Sequence, residues 1–178
     1  MNIECLVLSI EWNGFLQSAI DKYPKESCAF LFSKYPYTQR ERWAIGEVKN
    51  ASPDPENEWI PDKKDMHKVK KLARIAEYVC IGNVHSHPLP IDHSKITNEK
   101  VYELMVHDVS QPSEKDLLFA RKFNNIVRGI IVVNELCLYK ILFHDMFNNV
   151  IYGKYKPCIP QLDKRTTNQR IQDWFNRG

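Results

Sequence analysis

Apolar positions along this chain recur at two spacings, and the switches between them divide it into elements. Ile3 to Leu8 form a short apolar run that reads as a strand. Ser9 then precedes Trp12, Leu16, Ala19, Ile20 and Tyr23, which fall three or four apart, so a helix capped by Ser9 and ended by Pro24 is predicted. "SCAFLFS" (27–33) and "RWAIGEVKN" (42–50) read as strands joined by the polar "KYPYTQRE", and the proline-rich "ASPDPENEWIP" (51–61) reads as a loop. Met66, Val69, Leu72, Ala73 and Ala76 form one stripe of a helix over 62–78. "YVCIGNVHS" (78–86) is a strand, "KVYELMVHD" (100–108) and "SEKDLLFARKF" (113–123) are helices, and "IVRGIIVV" with "LCLYKILF" make a hairpin across Asn134 and Glu135. This order predicts an α/β fold, a mixed central sheet flanked by helices.

Composition narrows the classes. With 178 residues, 43% hydrophobic and 26% charged, the chain fits one domain with a real core. Residues 153–178 turn polar and proline-bearing and are read as a tail, leaving a domain over 1–152. A net charge of +3 is too small to argue for nucleic acid. Lys63, Lys64, Lys68, Lys70, Lys71 and Arg74 lie mostly off the helix stripe, as a solvated basic face does, although an acidic protein partner can use such a face. The five cysteines include no CxxC pair, the N-terminal stretch lacks a basic leader, and the longest apolar stretch is interrupted by Arg128, Asn134, Glu135 and Lys140. A reduced, cytoplasmic protein that does not enter a membrane is expected; the oligomeric state is left open.

The candidate chemistry begins at "HSHP" (85–88). Alternation along a strand sends His85 and His87 to one face, about 6.5–7 Å apart. Both rings can then meet one ion, but the same pair also suits two polar residues before a proline turn. Asp116 in "PSEKD" offers a third ligand, and Ser113 with Asp116 equally matches a helix capping box. The two roles are compatible if Ser113 caps while Asp116 turns outward. Glu26 stands at the head of an otherwise apolar strand, where a carboxylate must be solvated, paired or functional.

Taken together, an upstream glutamate, H-[ST]-H-P and P-S-x-x-D in this order resemble the JAMM/MPN metalloprotease family. "YPKESCAFL" looks like that family's Y-P-x-E-x-C-G-x-L, and "VKNASPDPENEW" resembles its asparagine-bearing strand and loop. The likeness covers roughly residues 10 to 145. It implies a cytidine-deaminase-like mixed sheet and a Zn2+-dependent isopeptidase or peptidase that removes ubiquitin or ubiquitin-like modifiers. By that resemblance His85, His87 and Asp116 hold the zinc, Glu26 activates the water and later protonates the leaving amine, and Ser113 stabilises the oxyanion.

The chain departs from the pattern in two places. Ser113 lies 26 positions after His87 where the family's serine lies eight after, so an insertion over about 89–111 is expected beside the site as a lid, clamp or plug. Asp92, His93, His107 and Asp108 within it are read as surface residues that are also alternatives to Asp116. Ala29 replaces a common glycine. The rival within the fold is a noncatalytic MPN scaffold, which usually lacks ligands. A two-histidine, one-carboxylate iron oxygenase shares the triad but predicts a strand-rich barrel. Cys28 and Cys80 are read as inert, with Cys80 on the face opposite the two histidines.

Overall fold

A computed structural model describes residues 3–89, 99–122, 126–134 and 138–155. The element order is α1 (Ile3–Val7), α2 (Ile10–Asp21), β1 (Cys28–Lys34), β2 (Arg42–Val48), α3 (Lys63–Ile75), β3 (Val79–Pro88), α4 (Glu99–Val109), α5 (Glu114–Lys122), β4 (Val127–Val133), β5 (Leu138–Asp145) and β6 (Val150–Tyr155). The strands form one six-stranded sheet in the order β2-β1-β3-β4-β5-β6. Among the described strands β3 and β4 pair in parallel and the other pairings are antiparallel. A parallel pair needs a crossover, and the connection from β3 to β4 carries α4 and α5. The fold is thus the expected mixed sheet flanked by helices, open rather than closed into a barrel. No helix among the described residues is long and apolar enough to cross a membrane.

Both faces of the sheet are covered. On one, Trp12, Phe15, Leu16, Ala19 and Ile20 of α2 meet Ala29, Leu31, Val84, Ile131 and Phe143, with Trp12 lying 5.4 Å from the Phe143 ring. Ser9 caps α2 as predicted, accepting from the Trp12 N–H at 3.1 Å. On the other, Cys28, Phe30, Phe32 and Trp59 bury against Met66, Val69 and Ala73 of α3 and Phe119 of α5. The second core is the smaller, and it carries the histidines.

Three expectations are corrected. The run at Ile3 to Leu8 is helical because its buried positions, Ile3, Leu6 and Val7, follow a 3.6-residue spacing, while Glu4, Cys5 and Leu8 face outward. In α3 the inward residues are Met66, Val69 and Ala73; Leu72 is 58% exposed and turns away with Ile75. Cys80 shares the histidine face, contrary to simple alternation. Leu31 pairs with Gly82 and Phe32 with Cys80, so Ile81 is an extra residue in β3, a bulge that reverses the alternation below it. Ile81 accordingly joins Val84 in the α2-side core.

The unpredicted β6 extends the sheet to Tyr155, three residues into the segment read as a tail. The remainder of that segment, with Ile171, Trp174 and Phe175, lies outside the described residues, as do Asp92 and His93.

Candidate metal centre

The alternation of β3 above its bulge puts His85 and His87 on one face, opposite Cys28 at the head of β1. The imidazole Nε2 atoms come within 2.9 Å of each other. Asp116, on the first turn of α5, brings Oδ1 to 3.1 Å from His85 Nε2 and Oδ2 to 3.6 Å from His87 Nε2. Two ring nitrogens cannot both present lone pairs at such a distance without a proton or cation between them. A tetrahedral ion bound at 2.0–2.1 Å holds its ligand atoms about 3.4 Å apart, close to all three separations. These residues therefore fit a divalent metal; among the described residues they are the group able to hold one. Two imidazoles and a carboxylate suit zinc and other first-row divalent ions alike.

Asp116 holds both positions the sequence offered it. Ser113 Oγ accepts from the Asp116 N–H at 3.2 Å, and Asp116 Oδ2 accepts from the Ser113 N–H at 2.8 Å, which completes the capping box at the start of α5. The Ser113 hydroxyl also donates to Oδ2 at 2.8 Å. The other oxygen, Oδ1, accepts from Trp59 Nε1 at 3.0 Å. Burial opposes ionisation of this carboxylate, but the two imidazoles beside it outweigh burial and hold it well below the usual carboxylate range. The histidines diverge. Burial pushes His85 down, whereas for His87 burial is overcome by the hydrogen bond to Asp116 and the nearby Glu26 and Asp116 carboxylates, and its pKa rises.

Glu26 lies at the entrance to β1, 7% exposed, and lines the same cavity as His87, Ser113 and Asp116. Burial, chiefly, pushes its pKa up to about 8; His87 opposes the rise, and Asp116, Glu58 and Asp54 add to it. Two sets of bonds position it. Ser86, between the histidines and facing the other way, accepts from the Ser27 N–H at 2.7 Å and so ties the head of β1 to β3. Asn50 donates to the carbonyls of Glu26 and Glu58, each at 3.0 Å, and accepts from the N–H groups of Ser52 and Ile60, each at 3.0 Å.

That loop delivers Trp59, whose ring stacks on His85 with centroids 5.2 Å apart and planes at 27°, and which Phe119 backs at 4.2 Å. Trp59 was not singled out from the sequence. Its signal was a large aromatic residue in a polar, proline-rich loop, which has to bury its ring somewhere. Asn50 and Ser86 were visible within motifs, but nothing in the sequence specified their bonds. The contact from His87 Nδ1 to the Val109 carbonyl had no sequence signal, since it uses the backbone.

The cavity beside these residues has a volume of about 630 Å³. Trp59, Ile60, Leu118 and Phe119 give it an apolar wall, and Lys115, which pairs with Glu58 at 2.8 Å, a charged rim. His107 and Asp108, the described alternatives to Asp116, are 63% and 84% exposed and pair loosely with each other at 3.7 Å.

No protein-family model and no curated protein matches the chain. Among solved structures, the chain is similar to the solution structure of protein DSY2949 from Desulfitobacterium hafniense, with 16% identity and a TM-score of 0.46 over 82% of this chain and 85% of that one.

Proposed function

We propose that this chain is a zinc-dependent isopeptidase or peptidase of the JAMM/MPN type, acting in the cytoplasm on ubiquitin or ubiquitin-like modifiers. One observation carries the reading: Glu26, His87, Ser113 and Asp116, drawn from three distant stretches, line one cavity, and the buried His85 completes the metal-fitting triad beside it. The open mixed sheet is consistent with that family and not with a barrel oxygenase.

A divalent ion held by His85, His87 and Asp116 supplies Lewis acidity toward a carbonyl oxygen and a water acidic enough to ionise near neutral pH. The protein's own groups do the rest. Glu26 is held in a poorly solvated place next to His87 and Asp116, where it can take a proton from the attacking water and return it to the departing amine. Ser113 directs its hydroxyl at Asp116 Oδ2, and the Ser113 N–H serves that same oxygen, so the hydroxyl can turn to a developing oxyanion without leaving the carboxylate unpartnered. A donor of this kind is worth roughly 3 kcal/mol. The Trp59 and Leu118 wall offers apolar contact to an extended peptide entering the cavity.

The test is cleavage of a panel of ubiquitin-like conjugates by purified protein of measured zinc content, alongside Glu26→Gln. The expected result is metal-dependent cleavage that Glu26→Gln lowers by at least a hundredfold. Equal activity in the variant overturns the assignment of Glu26. Metal-free protein that binds a modifier without cutting it points to the scaffold alternative.

A further inference from the structure

Helix α4 belongs to the insertion between the histidines and Ser113, and its end can be followed carbonyl by carbonyl. The last four C=O groups of a helix have no partner within it. Here the Val106 carbonyl accepts from the Ser110 N–H at 3.0 Å, the His107 carbonyl from the Ser110 hydroxyl at 2.7 Å, and the Asp108 carbonyl from the Gln111 N–H at 3.2 Å. The fourth, Val109, is taken by Nδ1 of His87. Val106 and Ser110 are fully buried, so this end of the insertion is seated in the molecule.

The seat has its own anchor. Lys140 on β5 donates from Nζ to Ser110 Oγ at 3.0 Å. In the sheet register His87 pairs with Val132 and Val132 with Lys140, so the ammonium rises from the same face as the ring, two strands away. That separation is roughly 9–10 Å, and the end of α4 spans it.

We propose that the Lys140–Ser110 contact seats the end of α4 so that the Val109 carbonyl locks His87 in its Nδ1–H tautomer, with the Nε2 lone pair facing the metal position. The insertion is then a fixed part of the metal centre, and Lys140 and Ser110 are positioning residues that act through the His87 ring. A carbonyl can only accept, so a neutral ring facing it carries its one proton on Nδ1. The partial negative charge of a helix C-terminus strengthens this bond and makes the opposite nitrogen a better donor to a cation, while Lys140 complements the same helix end. His85 has no such device: its Nδ1 is buried without a partner among the described residues. The effect on metal binding rests on the metal reading proposed above; the tautomer does not.

The experiment uses the full chain as wild type, Lys140→Met and Ser110→Ala. Zinc affinity is measured by competition with a chromogenic chelator, and the His87 ring nitrogens are followed by NMR in metal-free protein at alkaline pH, where the ring is neutral. Both variants should bind zinc roughly tenfold more weakly, as loss of support to a ligand does, and should show mixed His87 tautomers while the metal-free melting temperature stays near that of wild type. Unchanged affinity with His87 still wholly Nδ1–H overturns the proposal. If wild type binds no zinc, the metal reading fails, and the ring signal alone decides the seat: tautomer mixing in Ser110→Ala supports it, and a single Nδ1–H form refutes it.

Discussion

Glu26 shows how much a residue's placement decides. On an open strand end it would be an ordinary surface acid, but burial raises its folded-state pKa to about 8 from an ordinary 4.5. Below about pH 4.5 it is protonated in both folded and unfolded chains and has no effect on stability. As pH rises the unfolded chain releases this proton first, so stability falls progressively and the loss is complete above about pH 8. Urea denaturation of metal-free protein across this range should show that decline, and Glu26→Gln should flatten it, gaining a few kcal/mol on the alkaline side and nothing in acid. Trp59 supplies a second prediction. Trp59→Phe keeps a ring against His85 but removes the N–H from Asp116 Oδ1, and metal affinity by chelator competition should fall roughly tenfold. At this scale His85, His87, Asp116, Ser113 and Glu26 are legible as candidates only through the order of their motifs, since the histidine pair and the Ser113–Asp116 pair each also have a plain structural reading. Trp59 and the Val109 carbonyl were not, because their contribution depends on which distant atoms they meet.

Elements were legible where period and punctuation agreed. Ser9 followed by an apolar stripe marks α2 unambiguously, and Ser9→Ala should cost about 1 kcal/mol in thermal or urea denaturation. Six residues, Ile3 to Leu8, are too few to separate a strand period from a helical one, and the tertiary contacts of Leu6 decided for the helix. In α3 the stripe holds at Met66, Val69 and Ala73, whereas Leu72 and Ala76 lie beyond the reach of the sheet. The bulge at Ile81 had no sequence mark except the neighbouring Gly82, where a Cβ would stand 1.9 Å from the Val127 carbonyl oxygen. Gly82→Ala should therefore destabilise the protein by roughly 2 kcal/mol, more than exposed substitutions such as Leu72→Ser, which should stay within about 0.5 kcal/mol. β6 was missed because its first residues look like any exposed apolar stretch after a turn.

At the scale of the whole molecule, the alternation of strands and helices fixed the class of fold, whereas the order of strands and the convergence of the site came only with the structure. The triad draws on β3 and α5, which 25 intervening positions separate in sequence, so an ion held by it would link parts of the chain that the apolar core alone leaves on its smaller side. Removing the metal should lower the melting temperature. For free ion at a thousandfold excess over its dissociation constant, linkage gives about 4 kcal/mol of stabilisation, and Asp116→Asn should abolish the difference between metal-loaded and chelated samples in calorimetry.

The Asn50 side chain binds the Glu26 backbone on one side and the Glu58–Ile60 backbone on the other. Acid and aromatic wall are thereby riveted to one peg and must travel as a rigid jaw. A gate hinged at residues 51–60 would carry Glu26 away from His85, His87 and Asp116 each time it swung, so whatever enters the cavity meets a wall that is already built.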